Sequence, residues 1–135
     1  MNWIILFLLL IIPAGMAAQQ RVVVAGDGSG DFKTIQEAIN SLPDSAVLPR
    51  TIFIKKGSYQ EKLFIKKHNL ILEGEGREQT FITYSIARDE WRCDHPDDWG
   101  VATMNVQGND ITLKNLAVIN SFGFNFSGDY TVHCK

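Results

Sequence analysis

The chain has 135 residues, 45% of them hydrophobic, with 13 Lys and Arg against 15 Asp and Glu, a formal charge of −2, three His and two Cys. That length accommodates one domain, and the mildly acidic balance lacks the basic footprint of a nucleic-acid binder. An aromatic content of 10% and frequent β-branched residues argue against a disordered chain.

The first segment is a continuous apolar run from Trp3 to Ile12, followed by Pro13 and the small residues Ala14, Gly15, Ala17 and Ala18. The run is shorter than the roughly 20 residues a spanning helix needs, and Gly15 and Ala17 fit the small-x-small rule for cleavage after Ala17. Residues 1–17 therefore read as a secretory signal and 18–135 as the exported chain, secreted or periplasmic and off the membrane after cleavage. The only positive charge ahead of the run is the amino terminus, which leaves an uncleaved anchor as the alternative.

Arg21 to Ala25 reads as a strand, and Gly26-Asp-Gly28-Ser-Gly30 follows it. Dinucleotide loops need a glycine where Asp31 stands, and the Gly-Lys-Ser/Thr of a P-loop is missing, so the segment reads as a structural turn. Thr34-Ile-Gln-Glu37 has the form of a capping box. Apolar residues then recur at Ile35, Ala38, Ile39 and Leu42 until Pro43, which predicts one short amphipathic helix.

The rest reads as strand and turn. Thr51–Lys55, Lys62–Lys66, Asn69–Glu73, Thr80–Tyr84, Ala102–Val106 and Asp110–Asn120 are rich in Val, Ile, Leu, Phe and Thr. Gly57-Ser58, Gly74-Glu75-Gly76, Gly108-Asn109-Asp110 and Ser121-Phe122-Gly123 read as the breaks between them. The connections are too short for the helices of a doubly wound parallel sheet. Two-residue hairpin signatures do not recur, as a sandwich of hairpins would favour. A solenoid is the other candidate, and it has an internal echo: Asn69-Leu-Ile-Leu72 and Asp110-Ile-Thr-Leu113 share a polar start and a Leu in fourth place. The echo spans either two coils or one coil enlarged by the loop from Ser85 to Gly100.

Three features invite a functional reading. Lys55, Lys56, Lys62, Lys66 and Lys67 form either a solvated face or a surface that attracts a polyanion, such as an acidic sugar polymer. The loop from Asp89 to Trp99 combines carboxylates with two tryptophans, a polar loop with anchoring aromatics or a surface for sugar rings. Cys93-x-His95 and His133-Cys134 lack the ligand spacing of a zinc site, and the loop lacks that of an EF-hand, so no metal is expected. Whether Cys93 and Cys134 pair is open at this level, because it turns on their separation in space.

The segment Val22-Val-Val-Ala-Gly-Asp-Gly-Ser-Gly-Asp-Phe-Lys-Thr-Ile-Gln-Glu-Ala-Ile39 closely resembles the mature start of the pectinesterases, the pectin methylesterases of plants and microbes. Further motifs follow in order. Gly57-Ser-Tyr59-Gln-Glu61 resembles the family's G-x-Y-x-E region and Gly74-Glu-Gly76-Arg its GEGR turn. Ala102-Thr103, Leu113-Lys-Asn115-Leu and Ile119-Asn120 resemble the strands ahead of its catalytic centre.

The resemblance, over residues 22 to 126, implies an all-β fold: the N-terminal coils of a right-handed parallel β-helix of the pectin lyase-like kind, with the helix from Thr34 closing the end. It implies hydrolysis of the C6 methyl ester of galacturonate units in pectin, to free carboxylate and methanol. In that chemistry an aspartate attacks the ester carbonyl, a second aspartate serves as acid then base, glutamines stabilise the oxyanion and an arginine orients the nucleophile. No metal or other cofactor is implied. The partner is methyl-esterified polygalacturonate, with no nucleic acid, and the full-length protein is expected to be a monomer.

The family's catalytic motifs, roughly QAVAL, QDTL, DFIFG and LGRPW, do not occur in this chain. The catalytic residues are accordingly expected beyond Lys135, and the chain is read as the N-terminal part of a pectinesterase, inactive by itself. Four residues are candidates for substrate contact. Tyr59 and Glu61 carry the G-x-Y-x-E motif, with a structural role favoured for both. Asp98 and Trp99 lie near the place of the family's substrate-contacting threonine, which has no counterpart here. The alternative function is a non-catalytic secreted β-helix that binds acidic polysaccharide.

Overall fold

The computed structural model describes residues 19–123 and residue 134, so the expected signal segment, residues 1–17, lies outside it. Along the chain come β1 (Arg21–Val24), α1 (Ile35–Ser41), β2 (Arg50–Ile54), β3 (Gly57–Gln60), β4 (Leu63–Ile65), β5 (Leu70–Gly74), β6 (Thr80–Tyr84), α2 (Arg88–Asp94), β7 (Met104–Val106), β8 (Ile111–Lys114) and β9 (Ala117–Asn120). They form three sheets, ordered β1-β2-β5-β8, β3-β6-β9 and β4-β7, and every pairing is parallel.

From β2 onward consecutive strands enter different sheets, while β1, followed by α1, pairs directly with β2, and each strand pairs with the one a full coil away. This is a right-handed parallel β-helix, and the sandwich of hairpins is set aside. Alternation along the strands decides which side chains stack inside. Val22 pairs with Ile52, Ile52 with Leu72 and Leu72 with Leu113, while Tyr59 pairs with Ile82 and Leu63 with Met104. Ile52, Ile54, Leu63, Ile65, Leu70, Leu72 and Ile82 are fully buried by this stacking.

The capping helix forms as the sequence predicts. The Thr34 hydroxyl accepts from the amide of Glu37 and donates to its carboxylate. The helix lays Ile35, Ala38 and Ile39 over the open end of the first coil, where unpaired strands and apolar interior need cover. At its C-terminal side the buried guanidinium of Arg50 donates to the carbonyls of Pro43 and His68.

Three departures from the sequence reading have physical causes. The predicted strand Asp110–Asn120 is two strands, because Asn115 adopts a left-handed conformation (φ 50°) and turns the chain from β8 into β9. Gly74 lies directly beneath this corner, where a Cβ would come within 2.2 Å of the Asn115 carbonyl oxygen, so the glycine permits the coils to stack there. The predicted break at Gly57-Ser58 is the start of β3, and the loop after Ser85 contains α2.

The internal echo is one enlarged coil. Leu70 pairs with Ile111 and Leu72 with Leu113, and the polar starters Asn69 and Asp110 take the same left-handed turn (φ 51° and 57°) ahead of β5 and β8. Asn and Asp tolerate that region because their short polar side chains satisfy the local backbone.

Candidate functional site

In the two-stranded sheet β4-β7, Leu63 and Ile65 point into the stack, and Phe64 between them faces outward. Its partner in register is Asn105, whose amide donates to the carbonyls of Leu63 and Ala102 and so ties the next coil down. Beside this face rises the segment 85–103, which carries α2. All the residues of α2 remain outside the core, so discrete ties, not a buried face, hold the segment.

One tie is ionic: Arg88 and Arg92 both bond to the Asp98 carboxylate, Arg88 through Nε and Nη2 at 3.0 and 2.8 Å. The Arg88 guanidinium foremost, with Arg92 assisting, holds the Asp98 carboxyl below the usual carboxylate range. A second tie is covalent, the Cys93–Cys134 disulfide, with the Cα atoms 5.1 Å apart. A third is Trp91, which stacks on His95 with ring centroids 3.4 Å apart and donates from its indole nitrogen to the Asp97 carbonyl. The Lys62 ammonium packs over Trp91 as well, 3.9 Å from the ring centroid.

These ties set Trp99 against Phe64, edge to face at 6.4 Å between centroids, and leave it 41% exposed. The Trp99 amide donates to the Asp97 carboxylate, which fixes the local turn. The outcome is an aromatic surface on the outside of the β4-β7 sheet, flanked by a charged rim. An exposed indole backed by a second ring suits the apolar face of a pyranose. Among the described residues no three His, Cys, Asp or Glu side chains converge to hold a metal.

The four sequence candidates fall in two separate places. Asp98 and Trp99 belong to the aromatic surface just described. Tyr59 is buried at 6% exposure, its hydroxyl donates to the Lys55 carbonyl, and burial pushes the phenol above its ordinary range. Glu61 accepts from the amides of Ile35 and Gln36 at the start of α1. Tyr59 also lines a cleft of about 490 Å³ between the turns after β1, β2 and β5, where Lys55, Lys56, Asp27 and Glu75 meet.

Sequence reading missed Phe64 and the individual role of Lys62. Phe64 had a signal, an aromatic at the outward position of a strand flanked by buried Leu63 and Ile65. Lys62 had none beyond membership of the lysine cluster. That cluster is not one patch, since Lys55 and Lys56 follow β2, Lys62 precedes β4, and Lys66 and Lys67 follow β4.

Comparison with known proteins places this geometry. The family model described as Pectinesterase matches residues 21–128. A pectinesterase of Petunia integrifolia is 37% identical over 108 residues, covering 78% of this chain and 28% of its own. Pectinesterase A of Dickeya chrysanthemi is 36% identical over 114 residues, covering 80% and 31%. The solved pectin methylesterase PemA from Erwinia chrysanthemi superimposes with a TM-score of 0.66 at 32% identity, covering 80% of this chain and 32% of that one. A pectin methylesterase crystallised with a hexasaccharide gives 0.65 at 33% identity with the same coverage. The chain thus spans less than a third of each of these relatives.

Proposed function

The chain belongs to the pectinesterase family, and we propose that it forms the N-terminal coils of an exported enzyme that hydrolyses the C6 methyl ester of galacturonate units in pectin. In this reading Trp99, backed by Phe64, stacks on a sugar ring beside the sheet β4-β7. Asp98 and its arginines form the rim, while Tyr59 and Glu61 hold the first coil together. The catalytic aspartates, glutamines and arginine come from coils that follow, so these residues alone bind substrate without turning it over.

The observation that carries the reading is the family match together with an exposed indole braced on the outer sheet face. Four described carboxylates have structural tasks: Asp31 accepts from the Val23 amide, Glu61 from α1, Glu75 from the Lys56 amide and Asp98 from two arginines. Export rests on the apolar run of residues 3–12 and its small-residue flank. Among the described residues no helix is long and apolar enough to cross a membrane.

The test is to incubate the purified chain with highly methylated pectin, measuring retention on the polymer and methanol release. Retention without methanol is expected. Methanol from these residues overturns the assignment of catalysis to later coils, and absence of retention overturns the binding face. The second reading, a binding module with no catalytic partner, has the same exposed indole in its favour. Sequencing the transcript beyond codon 135 separates the two, since only the enzyme requires in-frame equivalents of the QDTL and DFIFG motifs.

A further inference from the structure

Lys62 occupies the two-residue turn Glu61-Lys62 between β3 and β4. Lysines at coil corners ordinarily extend into water, as Lys56 and Lys66 do. The Lys62 ammonium instead lies 3.9 Å from the Trp91 ring centroid and 5.0 Å from that of Tyr84, and it donates to the carbonyls of Gly100 and Val101. Its partners are two aromatic faces and two carbonyls rather than a carboxylate, and burial pushes its pKa below the usual lysine range.

Those contacts reach the segment 85–103 in α2, through Trp91, and near its C-terminal end, through Gly100 and Val101. Trp91 is in α2, a seven-residue helix with no side-chain N-cap and no buried residue, too short to hold its shape without tertiary support. Gly100 closes the segment with a φ of +93°, pressed between two rings: a Cβ there would fall 2.7 Å from Trp91 and 3.1 Å from Phe64. Lys62, Trp91, Gly100 and Phe64 are therefore one packed unit, and Trp99 is the residue before Gly100.

We propose that Lys62 is the positioning residue that latches the segment 85–103 to the corner of the first coil and so fixes the direction in which Trp99 meets a pectin chain. The first half stands on the packing alone; the second rests on the saccharide reading above. Glu61 and Lys62 then work as neighbours in opposite directions, the carboxylate holding α1 and the ammonium holding the outer segment.

The test compares the full chain with Lys62→Met, which keeps the stem and removes the charge, and Lys62→Arg, which keeps a cation over the indole. In hydrogen exchange, Lys62→Met is expected to speed exchange across 85–103 by about tenfold, with β2 and β5 unchanged and Lys62→Arg close to wild type. Wild-type protection of 85–103 in Lys62→Met overturns the latch. Loss of β2 and β5 protection overturns it too, since Lys62 would then support the whole fold.

In a tryptophan-fluorescence titration with a methyl-esterified galacturonate hexamer, Lys62→Met is expected to bind about tenfold more weakly, with affinity restored by Lys62→Arg. Equal binding by Lys62→Met overturns the positioning of Trp99. Failure of the wild-type chain to bind overturns the saccharide reading, and the exchange measurement then decides the latch by itself.

Discussion

The Glu61 carboxylate accepts from the backbone amides of Ile35 and Gln36 at 2.9 and 3.0 Å, reaching across 26 positions of sequence to the first turn of α1. Helix starts leave amides without intrahelical partners, and α1 is too short to bear that loss. Thr34 serves the amide of Glu37, and Glu61 serves the two before it. Glu61→Ala should therefore lower stability by about 1.5–3 kcal/mol, as expected for hydrogen bonds to a charged group, with Glu61→Gln losing less. Urea unfolding measures it. Retention on pectin in the absence of urea should not change, and a selective loss of binding would show that Glu61 contacts substrate.

The Cys93–Cys134 disulfide closes a loop across 41 positions and anchors α2, which has no core contacts of its own. Loop-closure entropy for that length is about 4 kcal/mol, of which native proteins commonly realise 2–4. Reduction of the bond, or Cys93→Ser, should destabilise the chain on that scale and raise exchange across 85–103 before the β2-β5 core opens. Non-reducing peptide mapping should recover the two cysteines in one linked pair.

Asp98 provides a pH signature. Its carboxyl is held below the ordinary value of 3.8, first by Arg88 and then by Arg92. A depressed carboxylate pKa means that the contact is fully present above pH 3.8 and is lost as pH falls through the lower folded-state value. The Asp98 carboxyl carbon should accordingly titrate below 3.8 by NMR, and Arg88→Met should return it toward that value. The group is exposed, so global stability should respond little.

The segment that leads to Trp99 carries Asp89, Glu90, Asp94, Asp97 and Asp98 against Arg88 and Arg92, with Lys62 the one further cation packed on it, at Trp91 and Gly100, among the described contacts. An excess of negative charge disfavours free galacturonate and tolerates the neutral methyl ester. Methyl-esterified oligogalacturonide should therefore bind more tightly than its de-esterified counterpart. The gap should close as salt rises from about 0.01 M to about 1 M and the screening length falls from roughly 30 to 3 Å. A gap that does not respond to salt would assign the preference to shape instead.

Leu113, Val118 and Val106 occupy the same inward rows as Leu72, Ile82 and Ile65, yet they are 47%, 39% and 42% exposed. Among the described strands, β7, β8 and β9 each pair on one side only. Open edges beside apolar rows promote association. The chain should form soluble aggregates by light scattering, and Leu113→Lys with Val118→Lys should reduce them.

Much of this was legible in sequence because it depends on local rules. The capping box at Thr34, the i, i+3, i+4 stripe through Ile39 and the strand composition of Thr80–Tyr84 report backbone preference and burial, and the structure contains the cap, the buried stripe and the strand. The split of Asp110–Asn120 escaped because an asparagine in a left-handed turn looks, in sequence, like any polar residue within a strand. Helix α2 escaped because its N-cap, Ala87, offers no side-chain bond and its surface has no apolar stripe to display.

The residues by themselves determined α1, most of the strands and the family motifs, whose resemblance implied the parallel stack, since periodicity and turn chemistry act between near neighbours. Only the tertiary structure decided that Tyr59 is interior, that Glu61 caps α1, that Cys93 meets Cys134 and that Lys62 sits between Trp91 and Tyr84. Those pairings join residues from different turns of the helix. Their distances are set by how one coil lands on the next, which local spacing does not encode.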